Sequence, residues 1–92
     1  MLDEISKSQH VVGTKQTLKA VEQNNALKVF LAKDTDEAIR EKIVKICNKN
    51  HVAIEEVDRK EELGKACNIS LDAAVACILK NEEGGIRFNA NS

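Results

Sequence analysis

Aromatic residues are almost absent from this sequence, whose 92 residues include two phenylalanines, no tryptophan and no tyrosine. A folded core must therefore be built from isoleucine, leucine, valine and alanine. A nucleic-acid site, if there is one, cannot depend on stacking bases against aromatic rings. The composition argues against the RNA-recognition-motif and cold-shock modes of binding, because both use aromatic platforms.

Cysteine is also scarce, with three residues at Cys47, Cys67 and Cys77. An odd number without any Cys-x-x-Cys pair poorly suits a disulfide framework. A zinc site that combined these residues with His10 and His51 would require unrelated positions to converge. We therefore expect buried free thiols in a reducing compartment, and no metal or other cofactor.

The sequence lacks an apolar run long enough to span a bilayer and lacks a signal peptide at its start, which favours a cytoplasmic protein. Hydrophobic residues make up 42% of the chain and charged residues 32%, as is typical of a folded domain. The length fits a single domain, which we place at residues 1–80. Residues 81–92 have no periodicity and are predicted to be a flexible C-terminal tail.

Charge is nearly balanced, with a formal net charge of −1, so a general electrostatic grip on nucleic acid is not supported. The distribution is uneven, however. Residues 5–33 contain five lysines against one acid, Glu22, a local excess of four positive charges. A localised basic face is what a selective binder needs, although these lysines could also be ordinary solvated surface.

Hydrophobic periodicity predicts alternating helices and strands. We expect helices at residues 3–8, 14–24, 37–50 and 60–67, and strands at residues 10–12, 27–32, 52–57 and 73–79. The last of these runs is rich in alanine and also fits a helix. This order places helices on both faces of a small sheet.

The helix at residues 37–50 has the clearest pattern. Its apolar residues repeat at spacings that put them on one face: they are Ile39, Ile43, Ile46 and Cys47. The residues expected largely outside are Arg40, Glu41, Lys45 and Lys49. Asp36 and Asp58 are candidate N-caps for the helices that follow them, and the asparagines at 24 and 68 are expected to end helices.

No catalytic constellation emerges from the spacing of reactive side chains. The two histidines lie far apart and match no triad or metal motif. Asp34 and Asp36 follow a predicted central strand, where α/β proteins often bind ligands, but capping of the next helix is the favoured reading for Asp36. Gly13 belongs to no phosphate-binding fingerprint. We therefore expect a protein that is not an enzyme.

The stretch from Gly13 to Lys19 differs in kind from the rest. A strand ends at a glycine, and a helix begins whose first turns carry Thr14, Lys15, Gln16 and Lys19. A helix N-terminus offers free N–H groups and partial positive charge to phosphates. Lysine and glutamine can also reach base edges. The alternative interpretation is an ordinary helix with a solvated face.

Three segments together resemble the kink-turn-binding ribosomal proteins of the archaeal L7Ae type, and within them the small bacterial YbxF-like branch. The segments are Gly-Thr-Lys-Gln-Thr-Leu-Lys at residues 13–19, Leu-Gly-Lys-Ala-Cys at residues 63–67 and Ala-Val-Ala-Cys-Ile at residues 74–78. The resemblance covers about residues 5–80. It implies a three-layer α-β-α sandwich with a small mixed four-stranded sheet.

The resemblance also implies a function: recognition of an RNA bulge flanked by tandem sheared G·A pairs, the kink-turn. Lys15 and Gln16 would contact the G·A guanines and Lys19 a phosphate, while Gly13 and Thr14 would allow close backbone approach. A flipped nucleotide would enter a pocket at Asp36 and Lys60. A loop would cover the RNA beside it, formed by Asn68, Ile69, Ser70 and Leu71. The implied partner is ribosomal RNA or a structured mRNA element, bound by a monomer, with no DNA or membrane partner.

Several positions depart from the family pattern. Lys15 and Gln16 stand where archaeal and eukaryotic members have Asn and Glu, and an uncharged Gln accepts more weakly from guanine N–H donors. Asn68 replaces a usual glycine, which is tolerable if the backbone there is left-handed. The alternative function is a protein-interaction module of the same fold that has lost RNA binding.

Overall fold

The computed structural model describes residues 3–80, so the tail predicted at residues 81–92 lies outside the described residues. The chain folds in this order: α1 (Asp3–Ser6), β1 (His10–Val12), α2 (Thr14–Glu22), β2 (Ala26–Ala32), α3 (Glu37–Asn50), β3 (Ala53–Val57), α4 (Lys60–Ala66) and β4 (Val75–Leu79). The predicted order of helices and strands is confirmed. The alanine-rich final run is a strand, not a helix, and it begins at Val75 rather than at residue 73.

The four strands form one mixed sheet in the order β1-β4-β2-β3. β4 runs antiparallel to both of its neighbours, and the edge strand β3 runs parallel to β2. Near Lys28 the register between β2 and β4 shifts by a bulge. β4 is therefore a central strand, which agrees with the complete burial of Val75, Ala76 and Cys77.

Alternation along the central strands divides the core into two clusters, one on each face of the sheet. Val29 and Leu31 of β2 pack with α2 and α3, whose buried members include Val21, Ile43 and Cys47. Phe30 lies on the opposite face in the second cluster, with residues of α1 and α4. The α-β-α sandwich is thus observed, with α2 and α3 in one layer and α1 and α4 in the other.

The three longer helices end in the same backbone arrangement. Asn24, His51 and Asn68 adopt left-handed φ values of 59°, 58° and 65°. In each case the amide of the left-handed residue donates to the carbonyl of the residue three positions before it. The amide of the following residue donates to the carbonyl five positions before that residue. These paired bonds define the Schellman motif. Asn68 thus meets the condition under which asparagine is tolerated in place of the family's usual glycine.

The predicted side-chain caps are not formed. Asp36 occupies the N-cap position of α3 but makes no capping hydrogen bond, and the N-cap of α4 is Arg59 rather than Asp58. A different acid supplies the bond at α4, because Asp34 Oδ1 accepts from the Lys60 amide over 2.9 Å. Asp34 follows β2, the strand that pairs with β3, and it is this pairing that brings it to the start of α4.

The three cysteines are free and buried, as expected. Burial raises the pKa of the Cys47 thiol to about 11 and that of Cys77 to about 12. These thiols stay protonated near neutral pH and so lack the thiolate that reacts or binds metal. Within residues 3–80 there is no group of three metal-binding side chains and no helix long and apolar enough to cross a membrane.

The left-handed backbone at His51 predicts a stabilising substitution. His51→Gly should raise the free energy of unfolding by about 0.5–1 kcal/mol, because glycine adopts this conformation without the Cβ penalty. Lys49→Gly, two residues earlier inside α3, is the control and should lower it by a similar amount. Urea denaturation measures both. Destabilisation by both variants would contradict the argument and would show that the His51 side chain stabilises the turn.

Candidate nucleic-acid interface

The backbone of Ala73, Ala74 and Val75 joins the loops at one end of the sheet. The Gly13 amide, after β1, donates to the Val75 carbonyl over 2.9 Å. The Ala32 amide, at the end of β2, donates to the Ala74 carbonyl over 2.9 Å, and the Ala73 amide donates to the Lys60 carbonyl over 3.0 Å. The ends of β1, β2 and β3 therefore meet where β4 begins. We call this the upper end of the sheet.

Every segment that the sequence singled out for RNA contact either follows a strand end at this upper end or leads to it. Gly13 follows β1, Asp36 lies in the connection after β2, and Lys60 follows β3. The loop of Asn68, Ile69, Ser70 and Leu71 leads into β4. Positions separated by up to 58 residues in the chain are thus brought to one edge of the domain.

Helix α2 presents its polar side chains outward. Lys15, Gln16 and Lys19 are exposed, while Thr17 on the opposite side is fully buried in the core. Thr14 is half-buried. No side chain caps the first turn of the helix, so its N-terminal amides keep their capacity to bind an anion.

Gly13 connects β1 to α2 with a φ of 108°, a value that side chains disfavour. No heavy atom beyond its chain neighbours lies within 4 Å of the position that a Cβ would occupy. The space over this backbone is therefore open rather than filled by another segment. A ligand can approach the start of α2 closely at this point.

Asp34 holds the connection after β2 against the start of α4. Asp34 accepts from the Lys60 amide, and in the same connection after β2 the Lys33 amide donates to the Val57 carbonyl over 2.8 Å. Asp36 is exposed and Lys60 is half-buried, so both can meet a ligand from solvent. Asp34 was a candidate ligand-binding residue by its position after a predicted central strand, but its role in holding the start of α4 was not predicted.

The loop of residues 68–71, called the 68–71 loop below, exposes apolar side chains. Leu71 is 74% exposed and Ile69 is 38% exposed. The loop borders a surface cavity of about 260 Å³ that Glu61 and Lys65 of α4 also line. Exposed leucine and isoleucine beside polar groups suit contact with the apolar face of a base or sugar.

Gly64 sets the position of this loop. A Cβ at Gly64 would collide with the backbone carbonyl oxygen of Leu71 and crowd Asp72. The Gly64 carbonyl also accepts from the Ile69 amide over 3.2 Å. In the sequence, Gly64 stands out only as part of the Leu-Gly-Lys-Ala-Cys segment, and its place in that segment was the available signal of a close approach.

The prediction that Arg40 lies on the exposed side of α3 was wrong. Arg40 was expected among the exposed residues, but only 22% of its side chain is exposed. Its guanidinium donates to the Ala32 carbonyl over 3.2 Å and to Glu56 over 2.9 Å. A polar group at the upper end of the sheet thus went unrecognised, because periodicity assigns the side of the helix and not the partner.

The basic excess in residues 5–33 is smaller at the surface than the count suggests. Lys28 is paired with Glu55 over 2.9 Å and with Glu4 over 3.3 Å, and its pKa is raised chiefly by the Glu55 bond. Lys33 is paired with Asp58 over 3.3 Å. Lys15 and Lys19 are the exposed cations on α2, and they make this helix the basic part of the candidate interface.

A family model described as the ribosomal protein L7Ae/L30e/S12e/Gadd45 family matches residues 3–86. The chain belongs to this family. The match confirms the resemblance drawn from the three sequence segments.

Relatives support the YbxF-like branch of the family. The chain is 43% identical over 70 residues to an RNA-binding protein of Geobacillus thermodenitrificans, covering 76% of this chain and 85% of that protein. Identity to the RNA-binding protein YbxF of Geobacillus stearothermophilus is 41% over the same length and coverage. The Giardia lamblia 15.5kD RNA binding protein superposes with a TM-score of 0.78 at 27% identity, covering 88% of this chain and 69% of that one. These relatives are named for RNA binding rather than for catalysis, which supports the expectation that this family member is not an enzyme.

Gly64 provides a test of how the loop is positioned. Gly64→Ala should lower the free energy of unfolding by about 1–3 kcal/mol, because the added methyl group must displace backbone. It should also speed hydrogen exchange of the Ile69 amide, which bonds to residue 64. The exposed neighbour supplies the control, since Lys65→Ala should change neither quantity appreciably. Equal stability of the two variants would show that the loop is not held by this contact.

Proposed function

We propose that this protein binds kink-turn RNA and stabilises its kinked form. The observation that carries the proposal is the gathering of an uncapped, exposed helix start, two ionic side chains and an apolar loop at the upper end of one sheet. Family membership and the RNA-binding relatives support RNA as the ligand. The kink-turn specificity is the finer part of the proposal, which the resemblance of the three sequence segments suggests, and it is tested below.

Helix α2 would enter the widened groove of the kink. Lys15 and Gln16 are exposed at its first turn and can reach the guanine edges of sheared G·A pairs. Lys19, one turn further, faces solvent where a phosphate would lie. The open backbone at Gly13, followed by Thr14, lets the RNA come near the helix N-terminus.

Asp36 and Lys60 would flank the nucleotide that flips out of the bulge. Their two segments are held together by the bond between Asp34 and the Lys60 amide, so the two segments are already adjacent before RNA arrives. The 68–71 loop would cover the neighbouring RNA. Within it Ile69 and Leu71 offer apolar contact, whereas Asn68 sets the turn and Ser70 offers a hydroxyl.

Binding of this kind acts on a flexible RNA by selection. A bare bulge samples bent and extended forms, and a protein that contacts only the bent form shifts the population toward it. The size of the shift is limited by the difference in affinity between the two forms. A preformed site lowers the ordering cost on the protein side and leaves more of the contact energy for that difference.

We further propose that residues 1–80 make up the RNA-binding domain and that it acts as a monomer in the cytoplasm, on ribosomal RNA or on a structured mRNA element. The three free cysteines support a reducing compartment. A protein-interaction module that has lost RNA binding is the rival, because the exposed Leu71 also suits a protein partner. The next two experiments decide between them.

Substitutions on α2 should weaken RNA binding in proportion to their contacts. Lys15→Ala and Lys19→Glu should each reduce kink-turn affinity by on the order of 1–3 kcal/mol in a gel-shift titration at fixed salt. Lys49→Ala removes an exposed lysine near the far end of α3 and serves as the control, with little expected change. Affinities that stay at the wild-type value in both α2 variants would remove this helix from the interface.

The RNA supplies a complementary test. Replacing the sheared G·A pairs by Watson–Crick pairs should abolish selective binding, because the guanine edges are then engaged with their partners. The two RNAs have the same length and nearly the same charge, so the comparison separates shape from electrostatics. Equal affinity for both RNAs would leave a generic polyanion binder, and binding to neither would favour the protein-interaction module.

A further inference from the structure

Arg40 is a polar residue at the upper end of the sheet that the proposed function does not use. Its Nη1 donates to the Ala32 carbonyl and its Nη2 to the Glu56 carboxylate. These two partners come from different strands, β2 and β3. The guanidinium is therefore fixed in position rather than moving freely in solvent.

The guanidinium is hydrogen-bonded to the turn of residues 32–35, which precedes Asp36. The carbonyl of Ala32 that accepts from Arg40 also accepts from the Thr35 amide over 3.3 Å, the bond that closes this turn. The Arg40 amide in turn donates to the Asp36 carbonyl over 3.0 Å. Arg40 and Asp36 are thus one helical turn apart on α3 and brace the same few residues.

The same turn is bonded to the start of α4. Asp34, within it, accepts from the Lys60 amide. Arg40, Asp36 and Lys60 are therefore all joined to residues 32–36, and a nucleotide held between Asp36 and Lys60 would lie beside the segment to which the Arg40 guanidinium is bonded.

A guanidinium has spare capacity in this arrangement. It carries five N–H donors, and the two described bonds use one on each terminal nitrogen. Its flat face can also stack on a base. Since 22% of the side chain remains exposed, part of the group is open to a ligand without breaking its two bonds.

We propose that Arg40 is a specificity-determining residue that contacts the flipped nucleobase, with Glu56 holding its guanidinium in place. This inference rests on the proposed function. The ligand class is an unstacked nucleobase. The guanidinium would either stack its flat face on this base or donate its N–H groups to acceptor atoms of the base. Because Glu56 balances its charge, Arg40 contributes to base recognition and little to the general attraction for phosphates.

A double-mutant cycle between protein and RNA tests the contact. Each bulge nucleotide of a kink-turn RNA is replaced in turn by an abasic residue, and dissociation constants are measured for wild-type protein and Arg40→Gln. At one bulge position the wild type should lose roughly 5- to 30-fold in affinity, and the variant should lose less than about twofold. Arg40→Lys keeps the charge but not the planar fork, so it should behave like Arg40→Gln.

Arg59→Gln is the matched control for charge. Arg59 lies at the start of α4, is 65% exposed in its side chain and pairs loosely with Glu61 at 3.6 Å. Its loss should leave the abasic penalty at the wild-type value. The slope of affinity against salt should be nearly unchanged in Arg40→Gln, whereas Lys19→Glu should reduce it. Thermal unfolding reports any structural loss, which would weaken binding to all RNAs equally rather than at one bulge position.

The outcomes separate this inference from the proposed function. An abasic penalty that is the same in wild type, Arg40→Gln and Arg40→Lys overturns the contact while kink-turn binding stands. A wild-type protein that does not distinguish the kink-turn from its G·A-disrupted version overturns the proposed function, and the role of Arg40 with it. A penalty that disappears only in the Arg40 variants supports both.

Discussion

The candidate site depends on the backbone of residues 73–75. The backbone of these three residues accepts from or donates to the backbone of three segments that surround the site: Gly13 before α2, Ala32 at the end of β2, and Lys60 at the start of α4. Backbone bonds of this kind do not depend on side-chain identity. The positions of the segments are therefore fixed by the start of a buried central strand, while the side chains that face solvent are free to serve recognition.

This division of roles explains why small residues precede β4. Ala73 is buried and Ala74 half-buried, and the 68–71 loop that leads to them packs against Gly64 with no room for a Cβ. A larger side chain on α4 would push the loop away from the other segments. The Schellman turn at Asn68 then redirects the chain immediately after α4. The exposed Ile69 and Leu71 follow from this geometry, because a loop so short has no second layer to bury them.

Local patterns accounted for most of the fold, since strands and helices in this chain carry strong and separate periodicities. The bounds of β1 and α3 were predicted to the residue, and the apolar face of α3 packs on the core through Ile43 and Cys47. The strand at β4 was ambiguous because an alanine-rich run suits either state. It forms a strand because it pairs with β1 and β2 on its two sides, and this pairing joins residues that are far apart in the sequence.

The misses have a common physical origin. Asp36 and Asp58 were expected as caps because they precede helices, but the cap at α4 comes from Asp34, which is 26 residues away from Lys60. Arg40 was assigned to solvent, but it spans two strand ends. Both interactions join side chains to groups that only the sheet brings near. The helix start at Gly13 and the 68–71 loop could be singled out from sequence, yet their meeting at one end required the order β1-β4-β2-β3.

The scarcity of aromatic residues gives these long-range polar groups their importance. Phe30, the one aromatic side chain within the described residues, is fully buried and cannot face RNA. A base leaving its helix needs some planar or apolar partner to offset lost stacking, and tryptophan or tyrosine usually supplies it. Under the proposed function, that role in residues 3–80 falls to the aliphatic 68–71 loop and to planar cations. A guanidinium held flat by two strands meets this need better than a mobile lysine does, because its ordering cost is met during folding rather than at binding.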